Sequence, residues 1–207
     1  MTSEDVLKFW FEELEPKQWF TADAKLDEAI RERFGDTLAQ AKEGRLDAWA
    51  ETPRGCLALI IVLDHFSRNI HRDTPEVYAA DAKALALTRE GIEKGMDAEL
   101  ETPQEKHFFY MPLMHAESKE AHEENIRQFL KLKEEGYDVM EYPEHHKGII
   151  DRFGRFPHRN ELLGRESTEE EKEFLAPRDS EHSLYLMGRR ICLARDKENP
   201  MRSEGLD

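Results

Sequence analysis

Apolar residues recur along this chain at intervals of three and four, which is the spacing of one face of an α-helix. The clearest example is DAKLDEAIRERFGDTLAQAKE at residues 23–43, which Gly44 ends. Its spaced apolar positions are Leu26, Ile30, Phe34, Leu38 and Ala41. The same pattern predicts helices at residues 2–14, 118–135, 142–153 and 167–175. Because the alternating runs typical of β-strands are scarce, the pattern predicts an all-α protein.

Three Thr-Pro pairs predict the starts of three more helices, since threonine caps a helix and proline suits its first turn. They are Thr52-Pro53, Thr74-Pro75 and Thr102-Pro103. The first precedes LALIIVLDHFSRNI, the most hydrophobic segment, so we expect that helix at the centre of the fold. Pro112 lies inside the third helix, where it removes a backbone donor and is expected to kink the helix.

The order of these elements predicts one domain at residues 1–175, built from antiparallel helical hairpins with short connections. Its length is enough to bury a core without disulfides. Residues 176–207 form a loosely patterned tail, with an amphipathic part at residues 184–195. We expect this tail to be poorly packed or disordered. A search for a 34-residue helical repeat finds only one weak match, AKALALTREGIEKG, without a convincing second copy.

Charge and cysteine content narrow the functional classes. The formal net charge of -15 opposes binding to nucleic acid or to an anionic membrane. The longest apolar run, CLALIIVL, is too short to span a bilayer. The N-terminal MTSEDVLKFW lacks the features of a signal peptide, and Cys56 and Cys192 give no disulfide framework. We therefore expect a soluble, cytoplasmic protein.

Three ordered segments carry a family resemblance. They are LDHFSRNIHRDTPEVYAAD, FFYMPLMHAES and HHKGIIDRFGRFPHRNELLGRESTEEEKEFL. Together they resemble the bacterial domain-of-unknown-function family 924, over about residues 4–175. The resemblance implies an all-helical, tetratricopeptide-like fold. It implies no established activity and therefore no catalytic residue, so the candidate residues are chosen on their own chemistry.

The segment LDHFSRN contains a charged pair. Asp64 and Arg68 are four residues apart and share a helical face with Ile60 and Ile61. Because the pair continues an apolar face, we expect it to point into the protein. One interpretation is a structural ion pair that fixes helix packing. The other is that Asp64 orients Arg68 towards a ligand, with Asn69 beside it.

Histidines mark the second segment. His107, Met111 and His115 recur every four residues and share one helical face. A buried core histidine and a histidine that serves a binding site both fit this pattern.

The third segment, RFGRFPHRN, concentrates cations in an acidic protein. Its basic residues are Arg152, Arg155, His158 and Arg159. Gly154 and Pro157 turn the chain there, and a turn with several guanidinium groups suits a carboxylate or phosphate. In the alternative interpretation, these arginines cap helix ends and pair with surface acids.

Common catalytic motifs are absent from the sequence. It contains no H-E-x-x-H, E-x-x-H or C-x-x-C spacing, no G-x-S-x-G and no glycine-rich phosphate loop. We therefore predict neither a metal nor a cofactor, although ligands from separate helices stay open. Whether the protein is an enzyme, and its oligomeric state, are not predicted.

The leading hypothesis is a pocket that binds a small anionic molecule, with arginines holding the anion and a histidine available as acid or base. The alternatives are an adaptor whose groove binds an acidic peptide, and a metal-assisted hydrolase. The candidate ligand-binding residues are Asp64, Arg68, Asn69, His107, His115, Arg152, Arg155, His158 and Arg159.

Overall fold

The computed structural model describes residues 1–176, and side-chain caps set the starts of several helices there. Thr52 accepts a hydrogen bond from the backbone N–H of Gly55, as predicted for the first Thr-Pro pair. Thr102 accepts one from the N–H of Glu105, whose carboxylate accepts the N–H of Thr102 in return. This reciprocal capping box satisfies two backbone donors that the first helical turn leaves unpaired.

The second Thr-Pro pair, Thr74-Pro75, does not begin an α-helix. Pro75–Tyr78 forms only a short 3-10 helix, and the next α-helix starts at Asp81. The hydroxyl of Thr74 donates to the carbonyl of His71 at 2.9 Å. Its side chain therefore closes the preceding turn and does not cap a helix.

Within residues 1–176 the chain forms helices and no β-strand. The α-helices are α1 (Ser3–Lys8), α2 (Ala24–Lys42), α3 (Pro53–Ile61), α4 (Ser67–Ile70), α5 (Asp81–Glu93), α6 (Pro103–His115), α7 (Lys119–Glu134), α8 (Glu141–Phe153) and α9 (Glu169–Leu175). Short 3-10 helices connect them at Pro16–Trp19, Asp47–Glu51, Pro75–Tyr78, Met96–Glu99 and Pro157–Arg159. The predicted all-α class is confirmed, and these helices form a single compact domain.

Two π-helical turns interrupt this regular pattern. Phe9–Glu13 extends α1, and Val62–Phe66 joins α3 to α4, so residues 53–70 run as one continuous helical segment. A π turn holds an extra residue and redirects the side chains that follow it, and such turns are frequent at functional sites. The second π turn carries Asp64 and His65 in the middle of the protein.

The helix α3 lies at the centre of the core, as predicted. Every residue from Gly55 to Phe66 is buried. Helices α1, α5 and α6 pack against α3, while α2 packs against α4 and the second π turn. Helix α6 continues through the buried Pro112 to His115 and packs on α7, which packs on α8.

The C-terminal part of the described chain packs around a second, smaller apolar cluster. Ile149, Ile150 and Phe156 are buried there, with Phe153 and Phe174 partly buried beside them. No helix in residues 1–176 has both the length and the apolar character needed to cross a membrane. The predicted tail, apart from Ala176, lies outside the described residues.

Candidate functional site

Four of the nine predicted residues meet at one place, and a fifth residue joins them. They are Asp64 in the second π turn, Arg68 in α4, Asp81 at the start of α5, His115 at the end of α6 and Arg159 at the end of the Pro157–Arg159 turn. We call these five residues the charge cluster. Three elements from distant parts of the sequence thus converge on the π turn that follows α3.

Asp64 is the most deeply buried member, with no exposed surface. Its Oδ1 lies 2.8 Å from Nη1 of Arg68 and 2.8 Å from Nδ1 of His115. Burial raises the pKa of this carboxyl, but Arg68 and His115 lower it by more, so the pKa of Asp64 lies well below its usual value. The carboxylate is therefore ionised at neutral pH and can only accept hydrogen bonds.

Arg68 is held between two carboxylates. Its Nη1 and Nη2 donate to the two carboxylate oxygens of Asp81 at 2.9 and 3.0 Å, and Nη1 also contacts Asp64. Burial lowers the pKa of this guanidinium, while the two aspartates raise it by more, so its pKa lies above the usual value. Because paired hydrogen bonds between arginine and carboxylate are strong and directional, Arg68 is positioned firmly by the protein itself.

Arg159 is paired less completely. Its guanidinium carbon lies 4.4 Å from the ring centre of Tyr78 and 4.5 Å from that of Phe156. Nη2 donates to the backbone carbonyl of His115 at 2.9 Å, whereas Nη1 is 3.5 Å from a carboxylate oxygen of Asp81. Nε is buried and has no hydrogen-bond partner among the described residues. Burial, and then the nearby Arg68, lower the pKa of Arg159.

The tautomer of His115 follows from its contact with Asp64. An ionised carboxylate can only accept, so Nδ1 of His115 must carry the proton and donate it. Burial, and then Arg68, lower the pKa of this imidazole, which keeps the ring neutral at pH 7. Its Nε2 is consequently a hydrogen-bond acceptor, and no described residue donates to it.

Sequence reasoning missed one member of the charge cluster, Asp81, and two residues beside it, His65 and Tyr78. His65 places Nε2 3.2 Å from Oδ2 of Asp64, and burial lowers the pKa of His65 to about 3. Tyr78 packs on Arg159, and Asp81 pairs with Arg68. All three lie in LDHFSRNIHRDTPEVYAAD, the first segment of the family resemblance, which was the available signal.

Two arginines of RFGRFPHRN lie outside the cluster. Arg155 donates to both carboxylate oxygens of the buried Glu171 at 2.6 and 2.8 Å, which connects the turn after α8 to α9. Arg152 pairs with Glu170 at 2.7 Å and stacks on Phe153, with 4.7 Å between its guanidinium carbon and the ring centre. Both side chains therefore use their charge to hold α9 in place.

The remaining predicted residues also lie apart from the cluster or at its edge. Asn69 donates to Asp27 on α2 at 2.8 Å. Nδ1 of His107 lies 3.0 Å from the hydroxyl of Tyr137, and burial lowers the pKa of His107 to about 4. His158 is exposed and precedes Arg159, so it lies at the outer edge.

Two surface depressions lie apart from the charge cluster. A small depression of about 10 Å³ is lined in part by Cys56, Leu87 and Gly91, and a larger one of about 410 Å³ beside it by Lys83 and Lys94. No member of the charge cluster lines either depression. In the part of the chain that the structure describes, no three His, Cys, Asp or Glu side chains are arranged to hold a metal ion.

The comparisons with known proteins decide the family. The model of a family described as bacterial protein of unknown function (DUF924) matches residues 6–179. This chain belongs to the DUF924 family. A similar solved structure is that of the protein of unknown function ATU0120 from Agrobacterium tumefaciens, which is 36% identical to this chain with a TM-score of 0.76. The match covers 84% of this chain and 96% of that one. No curated protein matches this DUF924 chain.

Proposed function

We propose that this DUF924 protein binds a small anionic molecule against Arg159, beside His115. The observation that carries the proposal is the incomplete pairing of Arg159. A guanidinium group has five N–H donors, and only two of those of Arg159 contact acceptors in the described residues. Buried donors are normally satisfied, so a buried Nε–H without a partner favours an external acceptor.

The geometry around Arg159 fits an oxyanion better than a second protein carboxylate. Tyr78 and Phe156 lie against the guanidinium, which limits its rotation and leaves its edge for hydrogen bonds. The contact with Asp81 is long at 3.5 Å, so an incoming oxygen competes with a weak interaction. Carboxylate and phosphate groups match the fork of an arginine.

Arg68 supplies a second, fixed positive charge near Arg159. Because Asp64 and Asp81 already hold it, its charge stays in place when a ligand enters or leaves. The second positive charge adds to the attraction of an anion to Arg159. Burial, and then this charge of Arg68, lower the pKa of Arg159.

The arrangement of the helices is also a proposal in its finer detail. We propose that α6 with α7, and α7 with α8, form tetratricopeptide-like antiparallel hairpins. The support is that these consecutive helices pack on each other and that α6 and α7 are joined by only a short connection.

A thermal-shift panel tests the binding proposal. The ligands are phosphate, small organic acids, sugar phosphates and nucleotides, and the proteins are the wild type, Arg159→Lys and Arg152→Lys. Arg152 is the matched control, since it also stacks on an aromatic ring but lies outside the cluster. A ligand at 100 times its Kd adds about 2.7 kcal/mol of stability. For a chain of this size, the midpoint rises by about 5–10 °C.

The expected result is a rise with one class of anion in the wild type and in Arg152→Lys, and no rise in Arg159→Lys. Lysine keeps the charge but loses the fork of donors, so the comparison isolates hydrogen bonding. An equal rise in all three proteins, or no rise with any anion, contradicts the proposal.

A further inference from the structure

We propose that the anion bound at Arg159 must carry a hydrogen-bond donor of its own, a hydroxyl or an acidic proton, which Nε2 of His115 accepts. The inference rests on the proposed function and adds the class of ligand: a hydrogen phosphate or a hydroxy acid, in preference to a bare oxyanion of similar shape. The site then offers two opposite partners, a donor edge from Arg159 and an acceptor from His115.

The acceptor character of His115 has a structural cause. Asp64 has no exposed surface and lies 2.8 Å from Arg68, which holds it in the ionised form. The carboxylate of Asp64 therefore accepts a hydrogen bond from Nδ1–H of His115, and the neutral ring has its lone pair on Nε2. Asp64 is thus a positioning residue, because it acts on the ligand only through the orientation and tautomer of the imidazole.

The position of His115 next to Arg159 follows from a direct contact. Nη2 of Arg159 donates to the backbone carbonyl of His115 at 2.9 Å. This contact places the backbone of His115 against the guanidinium, and the inference is that one ligand spans Nε2 of His115 and the unpaired N–H groups of Arg159. The side chain of His115 is 14% exposed, so its ring is mostly but not entirely enclosed.

The groups that face His115 determine whether its ring stays neutral. Besides His107 on α6 itself, they come from five other elements. They are Asp64 and His65 in the π turn, Arg68 in α4, Asp81 in α5, His122 in α7 and His146 in α8. Arg159, from the Pro157–Arg159 turn, adds a second positive charge at the backbone of His115. The positive charges of the two arginines offset the negative charges of the two aspartates, and burial then favours the uncharged form of the imidazole ring.

A bare oxyanion meets an unfavourable partner in this site. All oxygens of sulfate are acceptors at neutral pH, so its lone pairs face the lone pair of Nε2. Hydrogen phosphate has a similar size and charge but carries a proton that Nε2 can accept. An anion that covers Nε2 without donating to it leaves this acceptor without a partner, and such a loss weakens binding by about tenfold or more.

Isothermal titration calorimetry on the full-length protein at pH 7 tests the inference with two pairs of probes. The first pair is inorganic phosphate and sulfate, and the second is malate and succinate, which differ by one hydroxyl. The expected Kd is at least about tenfold lower for phosphate than for sulfate, or for malate than for succinate. The wild type alone provides this result, so the test does not depend on a variant that folds.

Variants then assign the discrimination to one residue. In His115→Gln, the side-chain amide both donates and accepts, so the Kd values within a pair should approach each other. His107→Gln is the matched control on the same helix, since His107 contacts Tyr137 and not the cluster, and it should keep the wild-type ratio. Circular dichroism confirms that each variant is folded.

The outcomes separate the two proposals. Equal Kd values within both pairs, tighter binding of sulfate and succinate, or an unchanged ratio in His115→Gln overturn the inference while leaving anion binding intact. If none of the four probes binds the wild type, the inference fails, and the thermal-shift panel with its wider set of anions decides the binding proposal separately. A ratio that depends on His115 supports both.

Discussion

The substitution Asp64→Asn removes one negative charge from the centre of the protein while keeping the size of the side chain. In the wild type, this carboxylate contacts Arg68 and His115, each at 2.8 Å, and is fully buried. Removing one partner of a buried ion pair costs about 3–5 kcal/mol. Because Asp81 still binds Arg68 through two hydrogen bonds, we expect a loss at the lower end, about 3 kcal/mol.

Urea unfolding at pH 7 measures this loss as the change in the free energy of unfolding at constant m-value. The matched control is Asp47→Asn, which removes a carboxylate that pairs with Lys83 at 2.6 Å on the surface. The side chain of Asp47 is 58% exposed, so its loss should cost only about 0–1 kcal/mol. Equal effects of the two substitutions contradict the view that Asp64 is the buried centre of the cluster.

Acid should remove the difference between wild type and Asp64→Asn. The pKa of Asp64 is lower in the folded protein than in the unfolded chain, so its stabilisation is present above about pH 4 and is lost as the pH falls further. The stability gap should therefore narrow below about pH 4. A gap that stays constant from pH 7 into that range refutes the reasoning.

Three further results are expected. Gly91→Ala should lower the free energy of unfolding, measured in urea, by about 1–3 kcal/mol, because the new Cβ would lie 2.4 Å from a ring carbon of Phe109. The control Gly35→Ala meets no atom within 4 Å and should raise that free energy by up to about 1 kcal/mol. Arg155→Ala should lower the melting temperature without changing the Kd for the anion, because Arg155 binds a carboxylate of α9 and not the cluster. Burial lowers the pKa of His122 to about 4, so this residue takes up a proton on unfolding between about pH 6.5 and pH 4. As the pH is lowered from about 6.5 to about 4, the free energy of unfolding measured in urea should decrease more for the wild type than for His122→Gln.

The local chemistry of the sequence predicts much of the fold. Threonine caps, glycine stops and apolar spacing identify the helical class and the central position of the helix after Thr52, because these signals act within a few residues. The inward position of Asp64 also follows from its place on an apolar face. Thr74 is the exception, since its hydroxyl has a competing local acceptor.

The membership of the charge cluster depends on contacts between distant parts of the chain, which the spacing of residues in the sequence does not predict. His65, at the next position of the π turn, places Nε2 3.2 Å from Oδ2 of Asp64. Asp81 enters from another helix. RFGRFPHRN contains several candidate cations, and only the conformation of the turn at Gly154, with a φ of 69°, decides that Arg159 reaches the cluster while Arg155 meets α9.

The most direct test of anion binding is the NMR signal of the Nε–H group of Arg159 during titration with inorganic phosphate. The signal is assigned by its disappearance in Arg159→Lys. We expect its resonance to move with saturation as the buried Nε–H gains an acceptor, while the Nε–H resonance of Arg152, which already donates to Glu170, stays in place. If the Arg159 resonance does not move, or if both resonances move equally, phosphate does not bind at the charge cluster and the account is contradicted.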